Sequence, residues 1–518
     1  MQNTFPIQFD RFTVQMQARR NSMAVWSWLT LLTSITGLVG FLMMRGGAST
    51  SSIVWLCYFT GAIAILYRPS LGIYLIVGLA LVGDSVLMPW YPFNKNFSSY
   101  ESILYVSKSL IFSPLETYIV LTYLSWLGRA CMRRKIEWHA GPLFWPLLLF
   151  TCFITSGLVY GLSRGGSVNI ALWEARPIYY IPAMLVLTTN LLHKRSDVNA
   201  LFWVIAGALF VLSVSGVWDV ATVLKFNIKS VESIAEHGFS IRANTFFILL
   251  IAVWIFRKTS VKRVVLPLMS PFVLGSYFAN QRRAGYITIA IALLFVAIVL
   301  YRENRRAFWL IVPIVSVCAI VYLGAFWNAS GGLGAPARAI KSVVAKDAGN
   351  ARDNASNTYR IVEDANIMFT IKVSPLLGIG FGKPFYIVYP MPDISFFVWW
   401  QYITHNSMMW MWMQAGLGGF ISMLFLIGYA IINGFRILWR MPSDNMSVAA
   451  LTAVLYIVMH FIYAYVDMSW DIQSMVYIGV MMGLINSLER IVARQELQAP
   501  KRWPWQPEPV AAPGLKPL

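Results

Sequence analysis

Long apolar blocks set the pattern of this chain. Runs of about 17–25 apolar residues, the length that crosses a bilayer core, recur from residue 23 to residue 488. Charged clusters, glycine pairs and prolines such as Pro69 and Pro142 separate them. The spacing predicts fourteen spans, at residues 23–44, 49–67, 70–90, 112–128, 142–162, 175–192, 199–218, 243–256, 264–280, 284–301, 307–327, 406–432, 448–466 and 472–488. The first run is too long for a signal-peptide core, and no small-residue cleavage site follows it, so it reads as a membrane helix. Residues 328–405 stand out as the one large extramembrane segment, and a stretch of that length between spans is usually functional. The expected division is a cytoplasmic tail at 1–22, spans 1–11 at 23–327, the large extracytoplasmic loop at 328–405, spans 12–14 at 406–488, and a Pro-rich cytoplasmic tail at 489–518 that reads as disordered.

Composition sharpens this picture. Of 518 residues 58% are hydrophobic and 12% charged, half the charged share of an ordinary soluble domain, about 25%. The expected fold is an all-α polytopic integral membrane protein. Cys57, Cys131, Cys152 and Cys318 lie in or beside predicted spans and read as apolar filler rather than a disulfide framework.

A net charge of +19 would suggest nucleic acid in a soluble chain. Here its distribution matters more. With the N-terminus in the cytoplasm, the inner segments hold 24 of the 41 basic residues and 8 of the 22 acids, a net of +16, against +3 outside. That asymmetry satisfies the positive-inside rule. It also leaves Arg176, Arg242, Arg282, Arg283 and Arg360 on the outer side, where the rule does not call for arginine. Isolated arginines at span ends snorkel to lipid phosphates. Several on one face, beside a long loop, point toward a shared anionic ligand.

Within the loop, residues 336–348 can form a short amphipathic helix, and "SNTYRIVEDANIMFTIKV" from Ser356 to Val373 a second one, capped by Ser356 or Asn357. Arg360 and Asp364 are i, i+4 partners there, which alone is a surface pair. "SPLLGIGFGKPF" follows, with Gly378, Gly380 and Gly382 alternating so that backbone can approach a ligand closely. Without a strand before it and a helix after it, this is no dinucleotide fingerprint. Phe396, Phe397, Trp399, Trp400 and Tyr402 then form either an interfacial belt or a platform for sugar rings. They lead to His405 at the mouth of the twelfth span, where an ionisable residue is a functional candidate. His237 sits in an outer loop with no companion motif, and Asp467 and Asp471 read as helix-end charges.

Three stretches carry a family resemblance: "NQRRAGYITIAIALL", "NTYRIVEDANIMFTIKVSPLLGIGFGKPF" and "HNSMMWMWMQAGLGGF". In order and spacing the chain resembles the O-antigen ligase and O-antigen/exopolysaccharide polymerase superfamily over roughly residues 240–435. "SIRANTFF", with Arg242 and Asn244, resembles the family's outer-loop Arg/Asn less specifically. The family's Ser-Arg-Gly-Gly form is Arg-Arg-Ala-Gly here, so Arg282 or Arg283 carries that role, with Arg283 favoured by its spacing to the glycine.

The resemblance implies a GT-C-like glycosyltransferase in the bacterial inner membrane, its site facing the periplasm. The donor would be a glycan on undecaprenyl diphosphate and the acceptor a sugar hydroxyl, with the bilayer and a chain-length regulator as further partners. No cofactor, metal or nucleic acid is implied. His405 would be the base and Asn406 would orient it or the substrate. Arg283 and Arg360 would neutralise the diphosphate, with Arg176, Arg242, Asn244, Arg282, Gly378, Gly380, Trp399 and Trp400 binding substrate. Inverting transfer without a metal suits such a set, because the leaving group is already anionic. The short first outer loop, Arg45–Ser51, also lacks the acids of metal-dependent lipid-linked glycosyltransferases. Polymerase is the leading reading, from chain and loop length. A ligase acting on lipid A core and an O-oligosaccharyltransferase remain open. A transporter would place charged or broken spans at mid-membrane, and an intramembrane protease a buried Ser/His pair, for which "GLSRGG" is a poor substitute.

Overall fold

The computed structural model describes residues 50–134, 137–228, 231, 233–256, 260–329, 334–344, 351–392, 399–441 and 443–498. The expected first span at 23–44, Phe396, Phe397 and the Pro-rich tail lie outside the described residues. Those described form fifteen α-helices and no strand. In order they are α1 (Thr50–Tyr67), α2 (Pro69–Val82), α3 (Pro114–Met132), α4 (Phe144–Ser163), α5 (Val168–Leu191), α6 (Arg195–Thr222), α7 (Phe239–Ile255), α8 (Lys262–Ala279), α9 (Arg283–Glu303), α10 (Arg305–Phe326), α11 (Ala335–Val344), α12 (Ala351–Val373), α13 (Ser407–Arg440), α14 (Asn445–Val466) and α15 (Ile472–Gln498).

Every predicted span from 49–67 onward coincides with one of these helices, and α11 and α12 are the two loop helices. Eight of the helices are both long and apolar enough to cross a membrane, and α1, α2 and α7 are shorter apolar helices. The protein is therefore an all-helical, polytopic membrane protein. Helices α3 and α8 correspond to predicted spans but fall outside both groups. Each carries charge near its ends, Glu116 and Arg129 in α3, Lys262 and Arg263 in α8.

Local chemistry sets the boundaries. Pro69 and Pro114 open α2 and α3, where a missing N–H costs nothing. Ser113 and Glu116 close a reciprocal capping box on α3: Glu116 N donates to Ser113 Oγ at 3.2 Å, and Ser113 N to Glu116 Oε2 at 2.7 Å. Asp444 caps α14 by accepting from Met446 N at 2.6 Å. Two expectations are corrected. The span drawn over 70–90 ends at Val82, because Asp84 turns the chain by accepting from Val86 N and Leu87 N, both at 3.0 Å. The helix expected to start at Ser356 starts at Ala351, so Ser356 and Asn357 lie inside it rather than capping it.

Helix α14, whose residues are almost all buried, runs through the middle of the bundle between α13, α15, α7 and α9, and α15 lies along α5. At the other extreme α10 has no buried residue. Its apolar side chains are matched to lipid rather than to protein.

One junction shapes the site. Gly416 (φ 69°) breaks α13 in mid-course. The Pro375–Gly382 turn fills the break: Leu417 N donates to Pro375 O at 3.1 Å, and Ile379 N donates to Met413 O at 2.7 Å. The backbone groups freed by the kink are thus satisfied by the glycine run, as membrane helices require. Gly380 (φ 83°) lies so close to Gly161 of α4 that a Cβ on it would sit 2.3 Å from the Gly161 Cα. The close approach expected of this glycine run is made to the protein's own backbone. Gly380→Ala should cost more than the ~1–2 kcal/mol of a left-handed alanine alone, read as a lowered unfolding midpoint in detergent. An unchanged midpoint would contradict this packing.

Candidate functional site

Helix α12 brings the loop chemistry to the mouth of α13. A stripe of Tyr359, Glu363, Ile367, Thr370 and Ile371 follows the i, i+4, i+8 spacing of one helix face. Glu363, Ile367, Thr370 and Ile371 on it are buried, and Asn366 beside them anchors Val388 N and Tyr389 N at 2.8 Å each. Glu363, 1% exposed, is the anomaly, since a buried carboxylate requires a partner. That partner is His405. Glu363 Oε2 accepts from the His405 backbone N at 2.9 Å, and its oxygens stand 3.0 and 3.2 Å from His405 Nδ1. The carboxylate can only accept, so Nδ1 carries the proton, and in the neutral imidazole the lone pair is on Nε2. The ring is held edge-on to Tyr359, 5.6 Å between centroids, and remains one-third exposed.

Beside this pair lies a second one. His237 Nδ1 is 3.1 Å from Asp467 Oδ1, and Arg360 Nη2 is 4.0 Å from Asp467 Oδ2. Burial opposes ionisation of Asp467, yet His237, Arg360 and His405 around it hold its carboxyl below the usual carboxylate range. Asp364 is shifted the other way, by burial and then by Glu363 next to it. Arg360 thus faces Asp467 across the site as well as its helical neighbour Asp364. Arg283 Nη2 donates to Asn357 Oδ1 at 3.1 Å, which ties the start of α9 to α12 one turn from Arg360. Arg282 donates to Ser233 Oγ at 3.1 Å.

A cavity of about 460 Å³ opens next to this cluster. Ile403, Thr404 and Met468, next in sequence to the two pairs, form part of its wall. The 83–113 segment supplies another part, through Asn94, Lys95 and Asn96, and α5 a third, through Trp173, Glu174 and Arg176. Of the five outer-side arginines expected to share an anionic ligand, Arg176 alone lines the cavity. Its guanidinium is already engaged bidentately by Glu116: Nε donates to Oε1 at 2.8 Å and Nη2 to Oε2, while Tyr180 Oη adds a bond to Oε1 at 3.0 Å. Arg242 is fully buried behind the wall, donating to Asp471 Oδ1 at 2.9 Å, with Glu236 at 3.6 Å. Asp471 is therefore an ion-pair partner as well as the acceptor for Ser474 N at the start of α15. Glu236 accepts from Ser85 N and Gln473 Nε2, and burial beside Asp84 pushes it up to about 7.

The remaining expected site residues are structural in their contacts. Asn244 is completely buried and donates to Gly285 O at 2.9 Å and Thr288 Oγ1 at 3.1 Å, fixing the turn that carries Arg283. Asn406 caps α13 by accepting from Met409 N at 3.1 Å and is hydrogen-bonded to Asp364. Gly378 packs against Met413 O and Gly416 N. Trp399 stacks on Trp173, centroids 4.9 Å apart and planes 6° from parallel, and Trp400 is half-buried in the same turn. Among the described residues no three histidine, cysteine or acidic side chains gather to hold a metal ion.

Sequence reasoning missed Glu363, although a carboxylate on the apolar face of its helix was a signal. It also missed the His237–Asp467 pair and Trp173, whose partners lie 230 and more than 200 positions away and leave no local trace.

Comparison with known families falls on this region. Residues 268–424 match the model of the family described as O-antigen ligase. No curated protein matches the chain. The match begins within α8, takes in Arg282, Arg283 and the whole of α12 with His405, and ends beyond the Gly416 break. The match spans less than a third of the 518 residues, and over that stretch this membrane protein is similar to the family described as O-antigen ligase.

Proposed function

We propose that the protein polymerises lipid-linked glycan repeat units on the outer face of the bacterial inner membrane, with an undecaprenyl-diphosphate-linked glycan as donor and a sugar hydroxyl as acceptor. The observation that carries this reading is the His405–Glu363 pair set beside Arg360 at the mouth of a membrane helix. An imidazole whose Nδ1 is fixed by a carboxylate presents Nε2 as a proton acceptor in one orientation. His405 Nε2 takes the proton from the acceptor hydroxyl as its oxygen bonds to the donor's anomeric carbon. The bond from that carbon to the phosphate oxygen breaks, and its electron pair leaves with the lipid diphosphate. Attack opposite the leaving group inverts the anomeric centre. The growing charge on the diphosphate meets the guanidiniums of Arg283, which is hydrogen-bonded to Asn357 of α12, and of Arg360, one turn further along that helix. The scheme requires no metal.

The family description favours a second reading, in which the finished glycan is transferred to lipid A core. Purified protein given only the lipid-linked repeat unit separates the two. A polymerase yields a ladder of lengthening products, and a chain-length regulator protein would then reshape that ladder. A ligase yields no product until the core acceptor is added.

Arg283→Lys keeps the charge but loses the planar fork. Transfer should slow about 10-fold or more, on the scale of one lost transition-state donor, at normal expression. A full rate would remove Arg283 from the chemistry.

A further inference from the structure

The cavity beside the His405 cluster has the volume of a ligand site, about 460 Å³, within the ~300–1,000 Å³ of ordinary ligand pockets. Its lining is wrong for a diphosphate. Both cations in its wall are already matched: Lys95 by Glu101, Arg176 by the two-pronged contact with Glu116. The third cation nearby, Arg242, is buried behind the wall with Asp471 and Glu236, and Asp84 joins them through the Glu236 backbone. Two carboxylates therefore share one guanidinium, with a third close by. Burial beside Asp84 raises the Glu236 carboxyl, and its protonation would remove negative charge without adding any positive. A dianion brought into this space would lose its hydration with nothing of opposite sign free to replace it.

What the cavity offers instead is flat aromatic surface and hydrogen-bond acceptors. Trp173, 40% exposed, lines it while stacked on Trp399, and Trp410 and Trp470 line it as well. Ser85, Asn96 and Ser99 add polar side chains to its wall, and Glu236 and Asp471 add carboxylates. Indole faces receive the apolar face of a sugar ring, and carboxylate and amide oxygens receive its hydroxyls as charge-assisted or neutral hydrogen bonds.

We infer that this cavity holds the glycan, not the diphosphate, and that it selects uncharged sugars over acidic ones. The inference rests on the reading that the chain transfers a glycan. It places the diphosphate outside the cavity, on the Arg283–Arg360 side of the His405 cluster. Lys95, Trp173 and Arg176 lie outside the matched residues 268–424, so this wall is where the chain would set its own sugar preference.

Binding can be measured apart from turnover. Purified full-length protein in nanodiscs is titrated calorimetrically with a panel of uncharged trisaccharides (gluco-, galacto-, manno- and N-acetylated), with trigalacturonate, and with inorganic pyrophosphate. At least one uncharged trisaccharide should bind saturably, trigalacturonate at least 10-fold more weakly, and pyrophosphate should not compete. Trp173→Ala should weaken the uncharged ligand 10-fold or more. Pyrophosphate competition, equal or tighter binding of trigalacturonate, or no binding by any uncharged member would overturn the inference, and none of these comparisons depends on a variant. His405→Ala should bind the trisaccharide as the wild type does. If that variant kept full turnover, the proposed mechanism would fail while the binding result still decided the sugar site.

Discussion

His405→Ala is expected to lower turnover by about 10²–10⁴-fold, the usual contribution of a general base, while the protein inserts normally and still binds its lipid-linked donor. His405 is one-third exposed, so its truncation removes little packing. Its backbone N–H to Glu363 survives the change, and so does the Asn406 cap that starts α13. The loss should therefore fall on kcat. Glu363→Gln should produce a smaller loss of the same kind. The amide can still accept from the imidazole, but it no longer enforces a single orientation or offsets the imidazolium that forms during transfer. Near-normal glycan transfer by His405→Ala, at normal expression, would reduce His405 to a polar residue at a helix mouth.

Arg242→Met is expected to fail differently, at the level of folding. Arg242 is fully buried and donates to Asp471. Removing it leaves the Asp471 carboxylate without its cation, a loss of about 3–5 kcal/mol when one member of a buried pair is deleted. The unfolding midpoint in detergent should fall sharply, and the double variant Arg242→Met/Asp471→Asn should recover part of it, because the stranded charge is then gone. A single variant of wild-type stability that had lost activity would contradict this, and would return Arg242 to the substrate-binding role its resemblance to the family implies.

What could be read from the sequence divides along physical lines. Apolar length depends on local composition, and each described span coincides with a helix, although the one drawn over 70–90 ends early at Val82 and α12 begins before Ser356. The position of His405 at the start of α13 was legible for the same reason. Side-chain partners were not. Arg176 and Glu116 are 60 positions apart, Arg242 and Asp471 229, His237 and Asp467 230. An outer-face arginine looks the same in sequence whether it awaits a ligand or closes on a buried carboxylate. The glycine run misled in a related way. Its spacing signals close backbone approach, and only the fold shows that the approach is to α4 and to the break in α13. Glu363 was legible in principle, because a helical projection of α12 puts it among Ile367, Thr370 and Ile371.

The central claim is transfer from a lipid diphosphate with His405 as the base. Purified protein in nanodiscs, supplied with a synthetic undecaprenyl-diphosphate-linked repeat unit in the presence of a metal chelator, tests it most directly when lengthened glycan and released undecaprenyl diphosphate are quantified together. The account predicts one lipid diphosphate released for each new linkage, inverted anomeric configuration in the product, and loss of both signals in His405→Ala. Release of lipid monophosphate, retained configuration, or undiminished turnover in His405→Ala would contradict it.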